Sequence, residues 1–323
     1  MLLLPSSLVA TAVPTVRLNN GVLMPAMAMG TGGFDNVTAS VAVAEAIAGG
    51  LRHIHTAFDY FNLQGVARGI ARSGVDRADL FVSGMTSPCV HPAAPPVRNV
   101  TDPAACEALT EAEARGVITQ LGLKQLDLLM LHGPSAAFGS TGPCDAGVCA
   151  LNAAQWRAYA RLLADGAVRA IGVSNFCQSC FECLLADATV PRPAVNQIQL
   201  HVGMGADPEG LLSYCAAAGV VVQAYSPLAS GEVVSDPLCT ETGAALNRSA
   251  AAVGLRWVLQ NAALRANGSA PTLVTKATTP AYVAEDVLAF EWELPTAAMA
   301  ALDGAVVPKG QQDGRPSWGC AER

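Results

Sequence analysis

Short apolar runs alternate with longer Ala-rich amphipathic stretches along most of this chain. The apolar runs are PAMAMGT (25–31), RHIHTA (52–57), DLFVSGM (79–85), LDLLMLHG (126–133), VRAIGVSNF (168–176), AVNQIQLH (194–201), VVVQAYSPL (220–228) and TLVTKAT (272–278). Runs of this length, many rich in β-branched residues, predict strands. The stretches between them predict helices, among them 37–49, 62–73, 103–121, 152–165, 207–218 and 249–261. Eight strand–helix units in roughly 300 residues predict an α/β protein, a closed (β/α)8 TIM barrel. A doubly wound sheet would want a G-x-G-x-x-G turn after its first strand. The chain has Gly30-Thr31-Gly32-Gly33 there, without the third spaced glycine.

Ahead of the barrel, VRLNNGVLM (16–24) reads as a β-hairpin, with Asn19-Asn20-Gly21 supplying the positive-φ turn. Such a hairpin would plug the N-terminal end of the barrel. Residues 1–14 are apolar and lack basic residues, so they are expected as a loosely packed arm rather than a secretory signal. The barrel is expected over 15–303, with a polar Gly/Pro-containing tail over 304–323. The stretch 135–151 is expected as a loop inserted after the fourth strand, where Cys144 and Cys149 either clamp it or stay as thiols.

Composition narrows the function classes. With 323 residues, 51% of them hydrophobic, the chain can bury a large core. A net charge of −7, with no run of Lys or Arg, argues against a nucleic-acid partner. No apolar stretch reaches the roughly 18 residues of a membrane helix. A cytoplasmic location is the plain expectation. Ten cysteines and the N-x-[ST] sequons at Asn36, Asn99, Asn247 and Asn267 keep a secretory or organellar one as the alternative.

His55, Tyr60, Met85, His132, Asn175, Gln197 and Tyr225 all fall at or just past predicted strand ends. In a (β/α)8 barrel these ends converge on one mouth, where reactive groups sit. Reduction of a carbonyl by a nicotinamide needs a positioned hydride donor, an acid for the developing alkoxide and donors that polarise the oxygen. A tyrosine can be that acid only if its pKa of about 10 is lowered, normally by a cation.

RHIHTAFDY (52–60), LMLHGP (129–134), IGVSNF (171–176) and VVQAYSPLAS (221–230), in that order, resemble the aldo-keto reductase family. The resemblance runs from about Val16 to about Asp303. It implies NAD(P)H-dependent reduction of small aldehydes or ketones, with Tyr60 as proton donor and His132 orienting the carbonyl. The family's Asp position holds His55 here, and its tyrosine-activating Lys position holds Met85. Changing both together avoids an unpaired buried charge, and implies impaired activity. The alternative is a pseudoenzyme, a barrel serving as a nucleotide-binding or protein-assembly component with a protein partner.

The resemblance also implies cofactor contacts. Ser174, Asn175 and Gln197 match the set that holds the nicotinamide amide, and Tyr225 the aromatic that stacks on its ring. Ser226, Leu228 and Ser230 match the loop across the pyrophosphate. Lys276 matches the 2′-phosphate contact and Glu285 the adenine-side one, so NADP is the expected cofactor. Ala277 stands for a Ser or Thr, Tyr282 for an Arg and Asp286 for an Asn. Loss of the Arg removes a bidentate phosphate clamp, which leaves NAD possible. Gly133 replaces a Trp and should widen the mouth.

Other candidates have plainer readings. His132 and Tyr60 could each be satisfied core residues. His53 is expected on the strand face opposite His55, Asp59 is expected to point away from Tyr60, His91 to be solvated and His201 to be structural. Cys177, Cys180 and Cys183 read as core packing or a loose thiol cluster, ahead of a redox pair or a zinc site, which would lack a fourth ligand. Trp156 and Trp257 read as helix residues packing on the barrel.

Overall fold

A computed structural model of the chain describes residues 13–91, 97–135, 144–265 and 270–305. The arm over residues 1–12, the tail over 306–323, Asn267 and Cys320 lie outside the described residues. All eight predicted strand regions are strands: β3 (Met27–Gly30), β4 (His53–His55), β5 (Phe81–Thr86), β8 (Leu128–Leu131), β9 (Ile171–Ser174), β10 (Val195–Gln199), β11 (Val221–Tyr225) and β12 (Thr272–Thr275). They pair in parallel in chain order, and β12 closes back onto β3. Hairpin strands β1 (Thr15–Arg17) and β2 (Leu23–Pro25) precede the barrel, and β6 (Val90–His91) pairs with β7 (Arg98–Asn99) in the connection after β5.

The helices are α1 (Asn36–Ala48), α2 (Leu63–Ser73), α3 (Pro103–Gln120), α4 (Ala146–Ala164), α5 (Gln178–Leu185), α6 (Leu211–Ala217), α7 (Glu232–Ser235), α8 (Pro237–Leu246), α9 (Ala250–Gln260), α10 (Pro280–Leu288) and α11 (Thr296–Asp303). Their starts follow capping chemistry. Asp35, Asp102, Asp145, Asp236, Ser249 and Thr279 each accept a backbone N–H of the first turn, and proline opens α3, α8 and α10. Because Asp145 starts α4, the last six residues of the expected 135–151 loop are helical instead.

Two apolar layers hold the fold. The larger lies between barrel and helices and includes Trp156 and Trp257, as expected. Their indole N–H groups donate to the Pro191 carbonyl and to Asp303. The smaller fills the barrel. Val16, Leu18 and Met24 of the hairpin meet Phe81, Met85, Leu128, Met130, Val195 and Val221, so the hairpin plugs the barrel end. Asn19 and Asn20 donate to the carbonyls of Pro193 and Arg169 and anchor the plug. Gly21 takes the turn's positive φ of 87°. Where α1 crosses α2, a Cβ at Gly65 would come within 2.3 Å of the Asn36 carbonyl oxygen, so only glycine fits.

The cysteines differ from expectation. Cys144 and Cys149 do not clamp each other: Cys144 bonds Cys180 and Cys149 bonds Cys183, stapling the start of α4 to α5. Cys89 bonds Cys106 across the β6–β7 connection, and Cys177 is disulfide-bonded as well. The thiol cluster and the zinc reading are therefore both replaced by staples. Cys215 and Cys239 are buried thiols, their pKa values pushed up to about 12 by burial. Among the described residues no helix is long and apolar enough to cross a membrane.

Candidate active site

The C-terminal ends of the strands open into one cleft with a cavity volume of ≈ 820 Å³, within the usual size of ligand pockets. Of the sequence-predicted site residues, His55, Tyr60, His132, Ser174, Asn175, Gln197, Tyr225, Ser226, Leu228, Ser230, Lys276 and Glu285 line it. Met85 does not. It is fully buried in the apolar cluster inside the barrel, against which Tyr60 packs.

β4 delivers two histidines to the barrel interior. Residues two apart on a strand share a face, so His53 is not opposite His55 as expected. Both turn inward and meet the Ser83 hydroxyl on β5, at 2.9 and 3.0 Å. Burial lowers His53 to about 4. Burial, reinforced by His53 and His132, holds His55 well below the usual histidine range, so its ring is neutral. A neutral imidazole cannot replace the charge of a lysine.

A single helical turn, Phe58–Tyr60, follows β4. About three residues per turn rotate neighbouring side chains by roughly 120°, not the 180° of a strand. Asp59 therefore does not point away from the site. Its carboxylate receives Nδ1 of His132 at 2.8 and 2.9 Å. Burial pushes the Asp59 carboxyl up, but the hydrogen bond and charge of His132 outweigh it and leave it below the ordinary carboxylate value. Tyr60 stands edge-on to His132, ring centres 5.5 Å apart. Burial, then the charge of Asp59, raises its hydroxyl well above the ordinary tyrosine value.

The backbone of His132 is fixed from two sides. Its N–H donates to the Thr86 carbonyl, and its carbonyl accepts Asn175 Nδ2 at 2.8 Å. Asn175 itself takes a left-handed φ of 59°, and its Oδ1 accepts the Tyr225 hydroxyl at 2.9 Å. Ser174 donates to the Gln197 carbonyl, and Gln197 donates to Gln223 on β11. One polar network thus joins the ends of β8 to β11. His201 bonds the Val202 carbonyl and Gln199, in keeping with a structural role. His91 is buried rather than solvated.

The other half of the cleft suits a phosphate-bearing ligand. Ser226, Ala229 and Ser230 hold left-handed backbone at φ 49°, 48° and 55°, a costly conformation that clusters at ligand clamps. Ser249 and Ala251, at the N-terminus of α9, line the wall, where the helix dipole favours an anion. The Lys276 ammonium lies 4.5 Å from the Phe34 ring centre and makes no salt bridge among the described residues. Gly33 leaves that ammonium room, since a Cβ there would come within 3.3 Å of it. Aromatic and amide groups at one end, with a cation and a helix N-terminus at the other, fit a nicotinamide dinucleotide. Tyr282, on α10, is exposed. Asp286 is buried, donated to by Thr275 at 2.5 Å and pushed up to about 7 by burial.

In sequence, Asp59 is set aside because a strand's alternation would turn it away from Tyr60; the segment after β4 is a helical turn and does not keep that alternation.

Residues 26–307 match the model of the Aldo/keto reductase family. The chain is 34% identical over 303 residues to morphine 6-dehydrogenase of Pseudomonas putida, covering 90% of each. It is 35% identical over 248 residues to glyoxal reductase of Bacillus subtilis strain 168, covering 76% of this chain and 79% of that one. Among solved structures, an aldo/keto reductase from Brucella melitensis superposes with a TM-score of 0.73 at 28% identity, over 91% of this chain and 98% of the other. A closed barrel with its polar network at the strand ends, and a match spanning nearly all of it, place this chain in the aldo/keto reductase family.

Proposed function

We propose that this protein reduces small aldehydes or ketones with NAD(P)H in the cleft at the C-terminal ends of its strands. The observation that carries the reading is the convergence of Tyr60, His132, Asn175, Gln197, Tyr225 and Lys276 on one cavity. A bound nicotinamide supplies a hydride to the carbonyl carbon. The chain does the rest. Ser174, Asn175 and Gln197 would hold the nicotinamide amide, Tyr225 its ring, and Ser226, Leu228 and Ser230 the pyrophosphate. Lys276 and the α9 N-terminus would meet phosphate, with Glu285 on the adenine side. Lys276 supports NADP as the preferred cofactor, and the missing arginine at Tyr282 weakens that preference. Tyr60 and His132 aim at the carbonyl oxygen and polarise it.

His55 and Met85 in place of the family's Asp and Lys leave Tyr60 without a cation, so turnover is slow. The raised Tyr60 also favours the second reading, a barrel that binds a nucleotide without turning over. Two relatives suggest probes: glyoxal as the aldehyde, after glyoxal reductase, and a cyclic secondary alcohol for the reverse direction, after morphine 6-dehydrogenase. Single-turnover reduction of glyoxal, in wild type and in His55→Asp/Met85→Lys, separates the two readings. Measurable wild-type turnover supports reduction. Binding without turnover, restored by the double change, supports the second reading. The staples Cys89–Cys106, Cys144–Cys180 and Cys149–Cys183 favour an oxidising compartment over the cytoplasmic location that composition suggested.

A further inference from the structure

We infer that His132, held by Asp59, delivers the proton to the carbonyl oxygen, and that Tyr60 serves there as a neutral hydrogen-bond donor. This rests on the carbonyl-reducing reading above. The geometry makes the case. Both Asp59 oxygens lie within 2.9 Å of His132 Nδ1, so that nitrogen carries a proton and gives it to the carboxylate. The pair is largely desolvated, with side-chain exposures of 18% and 10%. Nε2 has no hydrogen bond among the described residues, and the ring lines the cleft, so Nε2 is the nitrogen open to a ligand. The backbone clamps at Thr86 and Asn175 keep the ring from swinging away. This is the arrangement in which a carboxylate fixes the tautomer of an imidazole and stabilises its protonated form.

Among the described residues, the surroundings offer no rival acid. Tyr60 faces the same cavity, but burial and the Asp59 anion raise its hydroxyl, and the barrel beneath it is apolar at Met85. His55 faces it from β4 and is neutral. Among the described residues, the other titratable groups near the dyad are His91, buried on β6, and Glu113 on α3, which is ion-paired with Arg98. Among the described residues, Asp59 is thus the anion that meets His132.

The step balances simply. Once hydride has reached the carbonyl carbon, the C=O π pair resides on oxygen. That oxygen takes the proton from Nε2, whose N–H bonding pair becomes the ring lone pair. Nδ1–H stays on Asp59, and the imidazole regains its proton from solvent. In the reverse direction, neutral Nε2 takes the alcohol proton.

The test has two arms on the full chain. In the ligand-free protein, nitrogen NMR of isotope-labelled histidine should show neutral His132 as the Nδ1–H tautomer. Asp59→Asn should raise the share of the Nε2–H tautomer, and Asp59→Glu should keep Nδ1–H. A neutral Nε2–H tautomer in wild type, or an unchanged tautomer ratio in Asp59→Asn, overturns the inference alone. In single-turnover reduction, Tyr60→Phe should stay within about tenfold of wild type, while His132→Gln loses about 100-fold or more. In Asp59→Asn the alkaline limb of the pH profile should move acidward. The opposite ranking of Tyr60→Phe and His132→Gln restores tyrosine as the acid and overturns the proposal. No wild-type turnover with nucleotide bound overturns the carbonyl-reducing reading, and this proposal with it.

Discussion

Asp286→Asn should stabilise this protein increasingly as pH rises. Asp286 is a buried carboxyl on α10 that accepts a hydrogen bond from Thr275, and burial raises it from 3.8 to about 7. Its folded-state pKa is raised, so its stabilising contribution is complete below pH 3.8 and is lost as pH rises toward 7. The interval is about 3 units, and each unit is worth about 1.4 kcal/mol, so wild type should lose up to about 4 kcal/mol across that window. Asparagine keeps an acceptor for Thr275 and cannot ionise. His53 and His55 work the other way, because each is neutral in the fold and protonated when unfolded below about pH 6.5. They are present in both proteins and cancel in the difference. Guanidinium unfolding of both proteins at several pH values between 4 and 8 reads the effect. A stability difference that grows by a few kcal/mol toward pH 8 is expected. A difference that stays flat would refute a buried, reluctantly ionised Asp286.

Three further outcomes follow from the packing. Met85→Lys alone should lower stability by several kcal/mol, since it places an unpaired ammonium in the apolar barrel cluster; adding His55→Asp should recover part of that, read by thermal unfolding. Gly65→Ala should cost about 1–3 kcal/mol by forcing α1 from α2, and an unchanged melting temperature would mean the helices separate freely. Alkylation of the non-reduced protein should leave Cys215 and Cys239 unlabelled when folded and labelled in denaturant, while Cys89, Cys106, Cys144, Cys149, Cys180 and Cys183 react only after reduction. Labelling of those six without reductant would remove the argument for an oxidising compartment.

The barrel was legible because each of its strands is a short apolar run, and because eight of them in alternation with helices admit few topologies. The cleft residues at strand ends followed from the same rule. What escaped notice depended on local geometry or long-range pairing. His53 and His55 are two apart and share a face, so reading them as opposed was an error of period. Asp59 turned inward because the chain leaves β4 through a helical turn. The partners of Cys144 and Cys149 lie more than thirty residues away on α5, with separations of 36 and 34 that no local spacing encodes. Asp286 was visible as a carboxylate, but the burial that shifts it arises only when α10 packs against β12.

A fluorescence titration of the purified protein with NADPH and NADH, repeated in Lys276→Ala and Tyr225→Ala, asks whether the cleft binds a nicotinamide dinucleotide. Saturable binding of at least one nucleotide is expected. Lys276→Ala should weaken NADPH by about tenfold, roughly one lost charge-assisted contact, and NADH far less; Tyr225→Ala should weaken both. Absence of saturable binding by either nucleotide would contradict the claim that this cleft is built for a nicotinamide dinucleotide.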